Sequence, residues 1–336
     1  MARSDQSGFA AGPELAKFLV QQKRGQRMTF TANRVLVTGA TGFLGSHCLV
    51  PLVERGFDVL GLYRKRAPED VPGVRWVRGD VMDRAAMRSV LEEYKPKGLL
   101  HLAWFVEPGK LITDTSNLCW TAASLDLIRS FHENGGERCT VCGSCYEYDW
   151  RFGYCIEDVT PCEPDTLYGA AKDSLRRTFL AYCSASGLSG CWGRGFFMYG
   201  PRENPARLVS SIIISLLKGS PAKSSHGLQV RDYLHIQDVA DGMVALFASQ
   251  GHGVYNVASG IPTTIRQIVE LLGEITDRSD LLQIGALPAR TNDAPLVLGD
   301  SRRAFNDTGW KARFTLEAGL SATVDWWRAH VNSDQG

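Results

Sequence analysis

Apolar runs alternate with amphipathic stretches along most of this chain. Arg34 to Thr38 is short, apolar and rich in β-branched residues, as a strand buried on both faces requires. Ser46 to Arg55 has enough apolar positions for a helix and stops at Gly56. Asp58 to Tyr63 and Val74 to Val77 predict the second and third strands. Asp83 is placed to cap a helix whose apolar face is Met87, Val90, Leu91 and Tyr94. Gly98 to Ala103 predicts a fourth strand, Asn117 to Phe131 a long helix, and Arg138 to Gly143 a fifth strand. A helix entered at Thr166 runs to about Ala185, and Gly190 to Met198 reads as a sixth strand. This alternation predicts an α/β protein with a doubly wound parallel sheet.

The rhythm breaks after Tyr199-Gly-Pro-Arg202 into shorter elements, which predicts a smaller C-terminal lobe. The expected organisation is an N-terminal extension over 1–31, the main domain over 32–200, and a lobe over 201–336. Residues 233–258 are expected to return to the main domain. Within the extension, Pro13 to Lys23 has the spacing of an amphipathic helix, with Leu15, Phe18 and Leu19 on one side.

Between the first strand and the first helix lie Gly39, Gly42 and Gly45. Gly39 suits the positive φ of a tight turn, and Gly42 lets backbone approach a phosphate. Gly45 allows close packing of helix on strand, and the helix N-terminus faces an anion. Strand, glycine turn and helix in this order predict a Rossmann dinucleotide site, with Phe43 and Leu44 in the same turn. The second strand ends in Tyr63-Arg64-Lys65-Arg66, with three cations and no carboxylate. A carboxylate there would bond the ribose of NAD, whereas Arg64 suits a 2′-phosphate. NADP(H) is therefore expected over NAD(H).

Composition narrows the partners. The chain has 336 residues, 44% hydrophobic and 22% charged, with a net charge of +1. Such a balance disfavours nucleic acid as the main partner. No apolar run approaches the roughly 20 residues of a membrane helix; the best, Leu208 to Leu217, is broken by serines. Nine cysteines without framework spacing predict a reducing cytoplasm. Cys139, Cys142 and Cys145 are spaced three apart, but on a strand they point to alternate faces, so no metal site is expected.

Tyr168 and Lys172 are four apart and share a helical face. An ordinary tyrosine is a poor acid or base at neutral pH. A lysine one turn away favours the phenolate and brings it toward working range. Ser144, at the end of the fifth strand, is expected to face the same cleft and hold a substrate oxygen. His101 and His235 are expected to be packed beside strands.

Thr38-Gly-Ala-Thr-Gly-Phe-Leu-Gly45, Gly79-Asp80-Val81, His101-Leu-Ala103, Ser144, Tyr168-x-x-x-Lys172, Arg194 to Pro201, Arg231-Asp232-Tyr233, Tyr255-Asn-Val257 and Gly309-Trp310 follow in order. Together they resemble an extended short-chain dehydrogenase/reductase of the nucleotide-sugar epimerase, dehydratase and reductase group. The resemblance implies that Ser144, Tyr168 and Lys172 are catalytic and that Lys172 bonds the nicotinamide ribose. It places Asp80 and Val81 beside the adenine, Leu102, Ala103 and Trp104 along the cofactor cleft, and Phe196 by the nicotinamide. Arg231 and Arg290 would grip a substrate diphosphate, Phe197 would line the substrate site, and Leu208 would cover the nucleotide base. It also implies a homodimer in which helices near 117–133 and 168–185 pair, with Leu118, Leu125 and Ile128 as an apolar stripe.

Departures narrow the reaction. Cys145-Tyr146 stand where 4,6-dehydratases carry an Asp-Glu pair. Tyr146 and Arg202 replace the cysteine and histidine of fucose-forming epimerase-reductases, and Phe197 replaces a usual asparagine. The sequence therefore predicts an NADP(H)-dependent reductase of a nucleotide-linked keto-sugar, a 4-keto-6-deoxyhexose, with Tyr168 as proton donor. A nucleotide-sugar 4-epimerase is the alternative, and a non-catalytic NADP-binding sensor is a third reading.

Overall fold

A computed structural model describes residues 33–289 and 293–331. The expected helix over 13–23 and the residue Arg290 lie outside them. In chain order come β1 (Arg34–Thr38), α1 (Phe43–Glu54), β2 (Asp58–Tyr63), β3 (Val74–Arg78), α2 (Arg84–Tyr94), β4 (Gly98–His101), α3 (Ser116–Glu133) and β5 (Arg138–Ser144). They are followed by β6 (Tyr154–Cys155), α4 (Leu167–Ser186), β7 (Ser189–Gly195), β8 (Phe197–Tyr199), α5 (Leu208–Leu217), β9 (Ala222–Ser224), β10 (Val230–His235), α6 (Ile236–Ala248) and β11 (Gly253–Val257). The chain closes with β12 (Pro262–Thr264), α7 (Ile265–Thr276), β13 (Leu282–Ile284), β14 (Leu296–Gly299), α8 (Arg302–Thr308) and α9 (Leu316–His330).

Seven parallel strands form the main sheet in the order β11-β7-β5-β4-β1-β2-β3. The strand order reverses between β1 and β4, which opens a crevice at their C-terminal ends. Both faces are covered, and the alternation of side chains along β1 shows how. Val35 and Val37 join Leu49, Leu52, Val239 and Met243 under α1 and α6. Leu36 joins Leu91, Leu127, Leu175 and Phe179 under α2, α3 and α4. A second core, with Val209, Ile213, Leu272 and Val324, holds the C-terminal lobe together. Its mixed sheet runs β12-β10-β14-β6, with β8 paired to β10.

Asp83 caps α2 by accepting from the Ala86 amide at 3.0 Å, as its sequence context demands. The single sixth strand expected over 190–198 is corrected. β7 stops at Gly195, and β8 leaves for the mixed sheet. Between the two strands Phe196 is buried against Gly299, where an added Cβ would stand 2.7 Å from the Phe196 ring. Of the apolar stripe, Ile128 lies in the chain's own core and Leu125 packs at its margin, while Leu118 is 61% exposed. All nine cysteines are free; Cys139 lies near Cys183 and Cys191, and Cys145 near Cys155. Among the described residues no helix is long and apolar enough to cross a membrane.

Candidate active site

The crevice between β1 and β4 begins with the glycine turn. Gly39 has φ +71, and a Cβ on it would stand 2.8 Å from the Ala103 amide nitrogen. Only glycine tolerates both the backbone angle and that approach. A Cβ on Gly45 would sit 2.0 Å from the Gly39 carbonyl oxygen, so α1 packs directly on the turn. Gly42 begins α1 with no side-chain cap, leaving the helix N-terminus to serve an anion. Leu102 and Ala103 leave β4 alongside this turn, tied to Thr38 through the Leu102 amide at 3.2 Å. These features fit a dinucleotide pyrophosphate.

At the adenosine end, Arg64 lies 3.7 Å from Asp80, and the Asp80 carboxylate also accepts from the Met82 amide at 3.0 Å. Val81 beside it is buried. Arg64 remains largely exposed, with no carboxylate at the end of β2. His101 is a core residue: it bridges Thr38 at 2.6 Å and Ser124 at 2.8 Å, and burial lowers it to about 3, so it stays neutral. His235 caps α6 and packs on Phe314 at 4.1 Å between ring centroids.

Ser144 ends β5, and Tyr168 and Lys172 project from the first turns of α4, which Thr166 caps at 3.1 Å. All three are buried. Ser144 lies close enough to the Tyr168 hydroxyl to pull the phenol down. Burial outweighs that pull and drives the phenol well above the ordinary tyrosine range. Lys172 does not reverse this. Its ammonium donates to the Cys142 carbonyl at 2.9 Å and stands 3.8 Å above the Trp104 ring centroid. Burial lowers it to about 8. Both groups are pushed toward neutrality because low-dielectric surroundings disfavour either charge.

Trp104 forms the back wall. Its indole donates to the Asn117 side-chain oxygen at 2.8 Å, and its ring lies 6.4 Å from that of Tyr168. Asn117 in turn donates to the carbonyls of Leu111 and Asp114, both at 2.8 Å, which pins the loop between β4 and α3.

Opposite stands an aromatic cluster. Tyr146 lies 5.6 Å from Tyr168, 4.4 Å from Trp150 and 6.5 Å from Phe197 between ring centroids, and Phe197 lies 5.6 Å from Tyr233. Arg231 is buried, 5.6 Å from the Phe197 ring, and pairs with Asp293 at 2.6 Å. Phe196 sits beneath, buried against Gly299. Leu208 opens α5 at the edge of the lobe core. Glu147, Asn117, Trp150, Tyr233 and Asp293 escaped the sequence reading. Glu147 had a signal, since Ser144-x-x-Glu147 is the spacing of a capping box. The aromatic neighbours had none, because three separate segments supply them.

The sequence profile of the NAD dependent epimerase/dehydratase family matches residues 35–258, from the first to the last strand of the main sheet. The chain belongs to this family and is an enzyme of the extended short-chain dehydrogenase/reductase type. It is 26% identical to a UDP-glucose 4-epimerase of Corynebacterium glutamicum, over 84% of this chain and 92% of that one. It is 25% identical to UDP-glucuronate 4-epimerase 4 of Arabidopsis thaliana, over 99% and 84%. Among solved structures, the UDP-glucose 4-epimerase of Thermus thermophilus in complex with NAD aligns with a TM-score of 0.78 at 27% identity, over 88% of this chain and 99% of that one.

Proposed function

We propose that the protein moves hydride at C4 of a nucleoside-diphosphate hexose and acts as a 4-epimerase. The observation that carries this reading is that Ser144 and Tyr168 are buried as neighbours with Lys172 on the next turn, in the same sheet domain as the glycine cradle. The curated relatives described above bear the names of 4-epimerases. Tyr168 takes the C4 hydroxyl proton while Ser144 holds the same oxygen, and Tyr168 returns the proton once the 4-keto sugar has turned over. A bound dinucleotide supplies the hydride acceptor and, when oxidised, a fixed positive charge beside the phenol. Oxidation in the first half is reversed in the second, so no cofactor is consumed. The walls formed by Tyr146, Trp150, Phe197 and Tyr233 offer ring faces and edges rather than fixed hydrogen bonds. Such walls suit a ring that must present either face. Arg231 and Arg290 are the cations for the diphosphate, with Asp293 holding Arg231 until the anion arrives. A two-fold dimer through α3 and α4 belongs to the same reading, with Leu118 exposed to join it; a monomer by light scattering at micromolar concentration would reject it.

A second reading, the NADP(H)-dependent reductase of an NDP-4-keto-6-deoxyhexose, is favoured by two observations. Arg64, Lys65 and Arg66 suit a 2′-phosphate, and Phe197 gives the sugar an apolar wall. The test is direct. Purified protein is incubated with NAD and UDP-glucose or UDP-glucuronate, and with NADPH and an NDP-4-keto-6-deoxyhexose. Conversion to the C4 epimer without net change in cofactor absorbance upholds the epimerase. Stoichiometric loss of NADPH transfers the conclusion to the reductase, and cofactor binding without turnover of any sugar leaves a sensor.

A further inference from the structure

The turn that carries Ser144 is anchored from below by a carboxylate. Glu147 is fully buried and follows Ser144 by three residues, in a 3-10 turn spanning Cys145–Glu147. Its Oε1 accepts from the Ser144 amide at 2.7 Å and from the Trp192 indole at 3.0 Å. Its Oε2 accepts from Arg194 Nε at 2.7 Å and from the same indole at 3.1 Å, with Arg176 Nε 3.7 Å away. In return the Ser144 hydroxyl accepts from the Tyr146 amide at 3.3 Å. The surroundings are shaped to admit this carboxylate. A Cβ on Gly143 would fall 2.6 Å from Glu147 Oε1 and 2.0 Å from Trp192 Nε1, so only glycine lets both reach the strand end. Arg194 is buried too and stacks on Tyr148 at 4.1 Å, which fixes the guanidinium in place.

We propose that Glu147 is a positioning residue for the reaction: by anchoring the Ser144 amide it fixes the rotation of the turn that aims both the Ser144 hydroxyl and the Tyr146 ring at Tyr168. This rests on the reading that Ser144 holds the substrate oxygen. Burying a carboxylate is costly unless every lone pair is engaged, and a lone structural anchor needs no charge. The charge serves through short, directional bonds that set the turn to within a few tenths of an ångström. Placement errors of that order in a reacting site lower rates severalfold or more.

The test compares Glu147→Gln, which keeps an acceptor for the Ser144 amide, with Glu147→Leu/Arg194→Met, which removes the buried pair together and leaves no unpaired charge. Two readouts are taken on the full chain. The first, solvent exchange of the Ser144 amide by NMR, needs no substrate. Exchange at least about tenfold faster in the double variant, with Glu147→Gln between it and wild type, upholds the anchor. Unchanged exchange overturns it. The second is a double-mutant cycle on sugar turnover. Glu147→Gln is expected to lower kcat about tenfold with KM nearly unchanged, and to lower it by less than about twofold in the Ser144→Ala background. An equal factor in both backgrounds means that Glu147 acts through the fold alone and overturns the proposal. Should no proposed sugar turn over, the functional reading fails, while the exchange measurement still decides the anchor.

Discussion

Lys172 is a buried cation with no ion pair among the described residues, and that makes its replacement informative. In the native protein burial lowers its ammonium from 10.5 to about 8. The unfolded chain keeps the ordinary value. Between pH 8 and 10.5 the unfolded state therefore binds a proton that the native state does not, so this group makes stability rise with pH across that window. Below pH 8 both states carry the charge, and the native state bears the full desolvation cost. The difference between 10.5 and about 8 corresponds to about 3 kcal/mol, at about 1.36 kcal/mol per pH unit. Two contacts offset part of it: the bond to the Cys142 carbonyl at 2.9 Å and the Trp104 ring at 3.8 Å. Charged hydrogen bonds and cation–π contacts are each worth roughly 1–2 kcal/mol when desolvated, and part of that is already contained in the lowered value.

Lys172→Met fills similar space without charge. It is expected to stabilise the protein at pH 7 by about 1–2 kcal/mol, which raises Tm by roughly 1–3 °C for a chain of this size. The advantage shrinks as pH rises from 8 and is gone near pH 10, where the wild-type amine is neutral and keeps its bond. Turnover falls at the same time, by about a hundredfold or more, because the proposed site loses the cation one turn from Tyr168 that the family resemblance places on the nicotinamide ribose. Thermal unfolding of both proteins at pH 7, 8, 9 and 9.5, scored as the difference between them, reads the effect without other titrating groups. A variant that melts below wild type at pH 7, or a gap that stays constant to pH 9.5, refutes the reasoning.

Tyr168→Phe is expected to keep the dinucleotide dissociation constant within about threefold and to lower kcat by about a thousandfold, since only the proton carrier is lost; wild-type turnover would exclude the assigned role. Arg64→Ala should weaken NADPH about tenfold and NADH hardly at all, the modest size reflecting a largely exposed guanidinium already near Asp80. Equal losses for both cofactors, or a wild type that prefers NADH, transfer the preference to NAD. Gly45→Ala drives a Cβ into the Gly39 carbonyl at 2.0 Å, where backbone cannot move aside cheaply. It should cost about 1–3 kcal/mol in thermal unfolding and weaken either dinucleotide more than about tenfold by titration calorimetry.

How much of this was legible in the sequence depends on where each feature draws its information. Strand β2 spans the predicted residues, and the Asp83 cap sits where the pattern put it, because periodicity and capping are local. The glycine turn was equally legible, since a positive φ and close backbone approach leave only glycine. The break at Phe196 was not. Phe196 packs against Gly299, about a hundred residues away, and no periodicity within 190–198 distinguishes one strand from two in different sheets. The placement of the Lys172 ammonium escaped for a related reason. Spacing puts Lys172 on the same helical face, yet the carbonyl of Cys142 and the ring of Trp104, from β5 and the loop after β4, decide where the ammonium points.

The same distinction separates the dinucleotide cradle from the aromatic side of the site. The dinucleotide cradle and the serine–tyrosine pair come from backbone turns and one helix face, so they recur wherever the turns recur. The proposed substrate wall comes from Tyr146 after β5, Trp150 before β6, Phe197 on β8 and Tyr233 on β10. It forms only because β8 leaves the main sheet and pairs with β10, aligning Phe197 with Tyr233. An asparagine at position 197 would have offered two donors and an acceptor to the sugar or its diphosphate. A phenylalanine offers a face and excludes water, so on the proposed reading a sugar ring would be held by shape and stacking more than by hydrogen bonds. Shape alone separates sugars differing by one hydroxyl only weakly, whereas a site built to bond that hydroxyl separates them strongly. Discrimination by this wall therefore falls on which ring carbons are bare, and a substrate panel graded by hydroxyl number around C6 is where the epimerase and reductase readings diverge most.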